Sequence, residues 1–507
     1  MAFNLAYLLR ESAKAHPDKP ALLFDGGSMT FSQVEARAAR LASGLRNAGF
    51  EPGDRIGLHL PNLPQFVIAY FAILRAGCVA VPMNVLLTAP EIAFQLGDSQ
   101  AKALISWSGT AEQAARAAEA AGVKHLYFVA TPGTPEITEG EPIEALFESV
   151  DPNTPAPMVQ RDPGDPAVLI YTSGTTGTPK GAELTHFQLY MNADTPGRLF
   201  GILPDDIVIV VLPLFHVFGL SSQLNICMRF GCTMSLVTRF DPATVLEVIA
   251  RDRVTVFEGV PTMYIALLQY ANSHDVDVAS LRIAISGGAS LPSNVLDAFE
   301  TKFGVLILEG YGLTETASTT TFNISAQERR AYSVGKPIWG VEVQVWDKDE
   351  QVLPPGHDNV GEIVVRGVNV MKGYHNNPRA TEAAFTRGWM RTGDLGYFDD
   401  DGYLFIVDRK KDLIIRGGYN VYPREVEEAL YAHPGVAEAA VIGVPDERLG
   451  EEVKAFVIPR AGVELDKDEV TAFLKERLAA YKYPRIIEFR TQMEHGPTGK
   501  ILKTVLR

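Results

Sequence analysis

The chain is poor in the features that announce several large protein classes. Its 507 residues include three cysteines, Cys78, Cys227 and Cys232, with no C-x-x-C pair and no histidine cluster beside them. That spacing offers neither a disulfide framework nor a zinc site, and points to reduced thiols in a packed interior. Long apolar runs are lacking too. The longest clean stretch, residues 66–74, spans nine residues and ends at Arg75, against the ~20 that a membrane-crossing helix needs. Basic charge is in short supply: Lys plus Arg number 46 against 61 Asp plus Glu, a formal charge of −15. That balance disfavours binding along a nucleic-acid backbone. The first twenty residues carry charges inside their apolar stretch and no small-residue cleavage pattern. No export signal is read there, and the cytoplasm is the expected compartment. Internal repeats and low-complexity tracts are also missing. What remains is an ordinary globular composition, long enough for roughly three folding units.

The patterning of apolar residues is that of an α/β protein. Ser32-x-x-Glu35 reads as a capping box. Val34, Ala38, Leu41 and Leu45 follow at helical spacing, and Gly49 stops the run. Short, nearly continuous apolar runs at 167–171, 207–212, 281–285 and 305–308 have strand length, and helical stretches such as 292–303 separate several of them. Such runs predict a mostly parallel sheet buried on both faces. Beyond about residue 331 the segments 341–346, 361–366 and 402–407 alternate and turn quickly, which predicts a small antiparallel β unit over about 331–408. The charged run Asp408-Arg409-Lys410-Lys411-Asp412 then precedes a tail with its own α+β pattern. There Pro423 starts a helix carrying Val426 and Leu430, 436–441 and 453–458 are strands, and Val470, Phe473, Leu474 and Leu478 mark a second helix. The expected organisation is a large N-terminal α/β domain over 1–408, a hinge at 409–411 and a small α+β domain over 412–507.

The central strands end in unusual sequences. The first runs into Thr172-Ser173-Gly174-Thr175-Thr176-Gly177-Thr178-Pro179-Lys180-Gly181, and the second into Pro213-Leu214-Phe215-His216-Val217-Phe218-Gly219. The third ends in Ser286-Gly287-Gly288-Ala289-Ser290, the fourth in Glu309-Gly310-Tyr311-Gly312-Leu313-Thr314-Glu315. Ligands of open parallel sheets bind beyond the carboxyl ends of the strands, so these four ends would line one site if the strands are neighbours. The first loop suits a polyphosphate: glycines let backbone N–H groups approach, hydroxyls donate, and Lys180 adds a mobile positive charge. The spacing is not that of a Walker A loop, and no G-x-G-x-x-G, G-x-S-x-G or H-E-x-x-H occurs.

The segment Tyr171-Thr172-Ser173-Gly174-Thr175-Thr176-Gly177-Thr178-Pro179-Lys180-Gly181 resembles the signature loop of the adenylate-forming superfamily of acyl-CoA synthetases, luciferases and peptide-synthetase adenylation domains. Further motifs of that superfamily follow in order: Tyr311-Gly312-Leu313-Thr314-Glu315, Thr392-Gly393-Asp394, Asp408 to Asp412 with Arg416-Gly417-Gly418-Tyr419-Asn420, and Pro497-Thr498-Gly499-Lys500. The resemblance covers essentially the whole chain. It implies an enzyme that joins a carboxylic acid to AMP with release of pyrophosphate, then passes the acyl group to CoA. By the same resemblance Thr172, Ser173, Gly174, Thr175, Thr176, Gly177 and Lys180 hold the ATP phosphates, and Thr175 and Glu315 bind Mg²⁺. Gly288, Ala289, Glu309, Gly310, Tyr311 and Gly312 flank adenine, Thr314 is a further ATP-binding residue, and Asp394 and Arg409 meet the ribose. Lys500 bridges the α-phosphate and the acid, and His216 borders the acyl carboxylate. Gly417, Gly418 and Tyr419 come in for CoA when a mobile C-terminal domain turns about Lys411.

The acyl pocket is expected among His216, Phe218, Val260, Met263, Gly288 and Gly312. These loops hold no Arg or Lys for a second carboxylate, and no Asp for an α-ammonium. Small dicarboxylates and amino acids are therefore disfavoured. The wording resembles bacterial fatty-acid–CoA ligases and 4-coumarate–CoA ligases about equally. Medium- and long-chain fatty acids are the favoured substrates, with aryl acids as the alternative. Transfer to a carrier protein or an amine, and a non-catalytic nucleotide binder, stay open as rival readings. The expected partners are small molecules only (acid, ATP and CoA) with no nucleic acid, and the chain is expected to be a monomer or homodimer.

Overall fold

Parallel strands joined by helical crossovers build two large sheets. The computed structural model describes residues 3–135, 137, 139–148, 150–151, 156–172, 178–270, 276–325, 327–496 and 499–506. The nine-stranded sheet runs Lys336–Pro337, Thr321–Phe322, Ile307–Tyr311, Ile283–Ser286, Val256–Gly259, Ile207–Val210, Thr233–Leu236, Pro20–Phe24, Gly27–Thr30. Its centre is parallel and both edges are antiparallel. Val208, Val256 and Ile283 face one core and Ile209, Phe257 and Ala284 the other, which is why these strands read as continuous apolar runs. The eight-stranded sheet runs Gly373–Tyr374, Lys180–Thr185, Pro166–Thr172, Val79–Pro82, Arg55–His59, Ala103–Trp107, His125–Val129, Glu141–Pro142.

The nine-residue apolar run lies in the helix Pro64–Arg75, whose residues from Phe66 to Leu74 are all buried. A helix apolar on every side belongs inside a core, and among the described residues no helix is long and apolar enough to cross a membrane. The three cysteines are buried and form no disulfide.

Two expectations need correction. The helix Phe31–Asn47 is capped by Thr30 and Gln33, not by Ser32 and Glu35. Glu35 instead pairs with Arg75 of the buried helix, an attraction that no local pattern announces. The four strands with polar ends do not lie side by side in one sheet. Three share the nine-stranded sheet, with Val256–Gly259 inserted between the second and third, and the strand Pro166–Thr172 belongs to the other sheet. It pairs antiparallel with Lys180–Thr185.

Two smaller sheets follow. One is antiparallel, with Val341–Trp346, Gly361–Gly367, Trp389–Phe398 and Phe385–Thr386 in order, and Leu404–Arg409 paired to Trp389–Phe398. The other holds Tyr419–Val421, Ile414–Arg416, Gly450–Pro459 and Val436–Asp446, with Ile486–Phe489 added parallel to Gly450–Pro459. The helices Pro423–Tyr431 and Lys467–Lys475 close a separate core through Val426, Leu430, Val470 and Leu474. This last unit touches the helix Ser293–Phe303, where the Asn294 side chain donates to the Tyr431 carbonyl at 2.7 Å.

Candidate functional site

The strand ends of the two large sheets meet at Glu315. Thr172, from the eight-stranded sheet, places its hydroxyl 3.5 Å from Oε1 of Glu315, which follows the strand Ile307–Tyr311 of the other sheet. Tyr374 donates to the same oxygen at 2.8 Å, and its ring lies 5.3 Å from Nζ of Lys180. Burial, then the nearby Glu315 charge, push the Tyr374 phenol up, so it stays protonated and donates. Ser173, Gly174, Thr175, Thr176 and Gly177 lie outside the described residues. Among the described residues no three His, Cys, Asp or Glu side chains form a metal-holding group. One carboxylate fits a magnesium ion that keeps waters and takes its other oxygens from substrate phosphates.

The second edge is built around Asp394, which is 3 % exposed. It sits directly across an antiparallel pair from Arg409, whose Nε lies 2.9 Å from Oδ1. The Tyr311 hydroxyl donates to Oδ2 at 2.6 Å, and burial with the Asp394 charge raises its pKa. Two partners leave the carboxylate with unused lone pairs. Gly312 must be glycine here, since a Cβ would stand 1.3 Å from the Ser318 carbonyl oxygen; at Gly310 it would meet Phe322 at 2.7 Å. Thr314 is buried in the short turn Thr314–Thr316. Glu309 is buried as well, and desolvation pushes its carboxyl up to about 7 against the opposing charge of Arg424.

Lys500 reaches this same edge from the last segment of the chain. It stays open to solvent, yet the protein crowding around it lowers its pKa, with Arg409 acting in the same sense and Asp394 opposing. Gly499 beside it has φ +77°, and a Cβ there would stand 2.6 Å from Oγ1 of Thr262 and 3.2 Å from Val260. The lysine loop is thus docked on the segment that carries the expected acyl wall.

That wall is assembled from three strand ends. Phe218 packs on Gly287 and Gly288: Cβ atoms placed there would meet its ring at 3.1 and 4.0 Å, and Val260 stands 3.5 Å from the second. Ala289 is half-buried next to them, and Met263 is buried. His216 accepts at Nδ1 from the Phe218 N–H at 3.2 Å, which leaves Nε2 as the protonated, donating nitrogen. Burial pushes its pKa down to about 4, so the ring is neutral at pH 7.

Two groups of expected residues stand apart from this cluster. Gly417 and Gly418 form the two-residue turn between Ile414–Arg416 and Tyr419–Val421, with φ +59° and +86°. That is the hairpin turn glycine favours. Tyr419 is exposed and stacks on Tyr481 at 4.8 Å. A Cβ at Gly418 would meet nothing within 4 Å. Lys411 is exposed in the turn after Leu404–Arg409, between Lys410, bonded to Glu362 at 3.0 Å, and Asp412, whose N–H donates to the Arg409 carbonyl.

The AMP-binding enzyme family model matches residues 9–375, and the AMP-binding enzyme C-terminal domain matches residues 425–500. The chain belongs to the AMP-binding enzyme family. Among relatives of this enzyme, a long-chain-fatty-acid–CoA ligase of Bacillus subtilis is 37% identical over 99% of this chain and 93% of its own. A feruloyl-CoA synthase of Amycolatopsis is 39% identical, covering 98% and 96%. A crystal structure of an anthranilate CoA ligase in complex with anthranoyl-AMP superposes with a TM-score of 0.92 at 29% identity, covering 100% and 97%.

Several residues beside the candidate site were not picked out by motif reading. Tyr374 follows a glycine in an unremarkable loop, and only its pairing with Lys180–Thr185 brings it to Glu315. Arg424 arrives beside Glu309 from the C-terminal unit. Glu258 is a lone acid in the apolar strand Val256–Gly259, two residues before Val260. Its carboxyl is buried and lies 2.8 Å from the Ser222 hydroxyl.

Proposed function

We propose that this enzyme is an ATP-dependent, AMP-forming acid–CoA ligase acting on a monocarboxylic acid with an apolar body, with medium- and long-chain fatty acids as the first substrate class. The observation that supports the reading is Lys500, which feels the charges of Arg409 and Asp394 while its neighbour Gly499 packs on Thr262 and Val260. A carboxylic acid is already ionised at neutral pH, so its attack on a phosphate needs no general base. The obstacle is repulsion between anions, and positioned cations lower it. In the first half-reaction a carboxylate oxygen bonds to the α-phosphorus and the bond to pyrophosphate breaks. Lys180 and the loop from Thr172 would meet the departing phosphates, Asp394 would accept from the ribose hydroxyls, and Lys500 would stand between acid and α-phosphate. Glu315, with Thr175, would hold Mg²⁺, which supplies charge neutralisation to the phosphates. In the second half-reaction the CoA sulfur bonds to the acyl carbon and AMP leaves. The Gly417–Gly418 turn would approach for this after rotation near Lys411.

Aryl acids are the second reading, favoured by the identity to the feruloyl-CoA synthase and the fold likeness to the anthranilate CoA ligase. The deciding experiment measures pyrophosphate and AMP release with ATP and Mg²⁺ across acids from acetate to palmitate, plus benzoate and 4-coumarate, with and without CoA. A CoA-dependent thioester, identified by mass, is the expected product. Adenylate without thioester would replace CoA by another acceptor.

A further inference from the structure

The C-terminal unit closes a core of its own, and charged groups make part of its contact with the rest of the chain. Arg424 opens the helix Pro423–Tyr431. Its guanidinium donates to the Ile406 carbonyl, and its N–H donates to Oδ2 of Asp408 at 2.9 Å. Both partners lie in the strand Leu404–Arg409, on the other side of Lys411. Two buried acids, Glu309 and Asp408, face the unit from that side. Burial raises the Glu309 carboxyl, and Arg424 is the foremost charge opposing the rise. Burial raises Asp408 as well, against the Lys503 charge and then the Arg424 N–H. A buried carboxyl without compensation is costly, so charge draws the two sides together. Lys503 extends the chain of contacts: its Nζ lies 2.7 Å from Oε1 of Glu427, about one turn after Arg424 on the same helix. Lys500 precedes Lys503 by a single short segment of the chain.

We propose that Arg424 is the positioning residue for Lys500. Bonded to Ile406 and Asp408, it fixes the helix to which Lys503 holds the lysine segment, and so selects the orientation of the first half-reaction. The assignment rests on the ligase reading above and deepens it. Rotation near Lys411 would leave Ile406, Asp408 and Glu309 in place and carry Arg424, Glu427 and Lys503 away together. The Arg424 contacts across the hinge would then break, and CoA would be served only after that release. A residue bonded in one orientation alone shifts the balance between the two. A side chain needed merely for folding, once removed, harms both half-reactions. Arg424 supports the first and opposes the second.

The test uses the full-length enzyme with decanoate, benzoate and 4-coumarate, and with the preformed adenylate of each. Single-turnover pyrophosphate release at saturating ATP reads the first half-reaction. Thioester formation from preformed adenylate and CoA reads the second. Arg424→Ala is expected to slow the first by about tenfold or more, in line with one lost bond from a charged group. The second should run at the wild-type rate or faster. Arg424→Lys, which keeps the charge and a donor, should fall between Arg424→Ala and wild type. Lys503→Met, which cuts the tie to Glu427, should reproduce the split. If Arg424→Ala fails to fold, these two variants carry the comparison. Equal slowing of both half-reactions, or a first half-reaction that runs at the wild-type rate, would overturn the assignment and leave the ligase reading intact. Absence of both pyrophosphate release and thioester in wild type with every acid would overturn the ligase reading itself.

Discussion

Tyr374 donates its hydroxyl to Oε1 of Glu315 at 2.8 Å, tying the edge strand Gly373–Tyr374 of the eight-stranded sheet to the turn Thr314–Thr316 beyond the strand Ile307–Tyr311 of the nine-stranded one. Tyr374→Phe should leave the fold intact and loosen the carboxylate. The expected result is an about three- to tenfold rise in the Mg²⁺ concentration for half-maximal pyrophosphate release, in line with one lost bond to a charged group. An unchanged Mg²⁺ dependence would make the contact merely architectural.

Gly499 and Lys500 should separate the two half-reactions. Lys500→Ala is expected to slow pyrophosphate release by about 10²–10³-fold, the range for a lost transition-state charge partner, while sparing thioester formation from preformed acyl-adenylate. Gly499→Ala should act in the same direction but more weakly, because a side chain at φ +77° and against Thr262 opposes the docked loop. Single-turnover assays of each half-reaction give the comparison.

Asp394 accepts from Tyr311 and pairs with Arg409. Asp394→Asn removes its charge at nearly constant shape. KM for ATP should rise about tenfold or more, with KM for the acid little changed. Equal rises for both substrates would assign Asp394 to general architecture.

Stability should depend on pH through two groups of opposite sense. Glu258 has its pKa raised to about 8 in the folded state, so the folded chain holds a proton there that the unfolded chain gives up near 4.5. Stability is then lost as pH rises from about 5 through 8, by at most ~1.4 kcal/mol per unit. His216, pushed down to about 4, acts the other way and costs stability as pH falls below 6.5. Besides Ser222, the groups that feel Glu258 are Cys227 and Tyr264, both with pKa values raised chiefly by burial. Thermal melts from pH 5 to 9 should therefore show a shallower alkaline fall for Glu258→Gln than for wild type.

The motifs proposed for the nucleotide stood out in the sequence because their residue types are improbable together elsewhere. Glycines, hydroxyls and a lysine directly after a buried strand have few structural uses, and the later motifs repeat the message in order. The sheet to which each strand belongs was not legible. The run ending in Tyr171 has the same apolar texture as the one ending in Leu308, and periodicity reports burial, not neighbours. The capping box at Ser32 failed for a related reason: Glu35 finds a better partner in Arg75, which only tertiary packing supplies. Glu258 escaped notice because a single acid in a strand says nothing of direction until the strands on either side, Ile207–Val210 and Ile283–Ser286, are known.

The docking of Gly499 against Val260 joins residues 239 positions apart along the chain, and Lys500 is the last of the site residues to be synthesised. A growing chain on the ribosome can complete both large sheets and the Thr172, Glu315 and Asp394 cluster well before that lysine emerges. Closing the Gly499 loop on Thr262 and Val260 is therefore a late step in assembly, made only after the strands and helices that receive it have been synthesised.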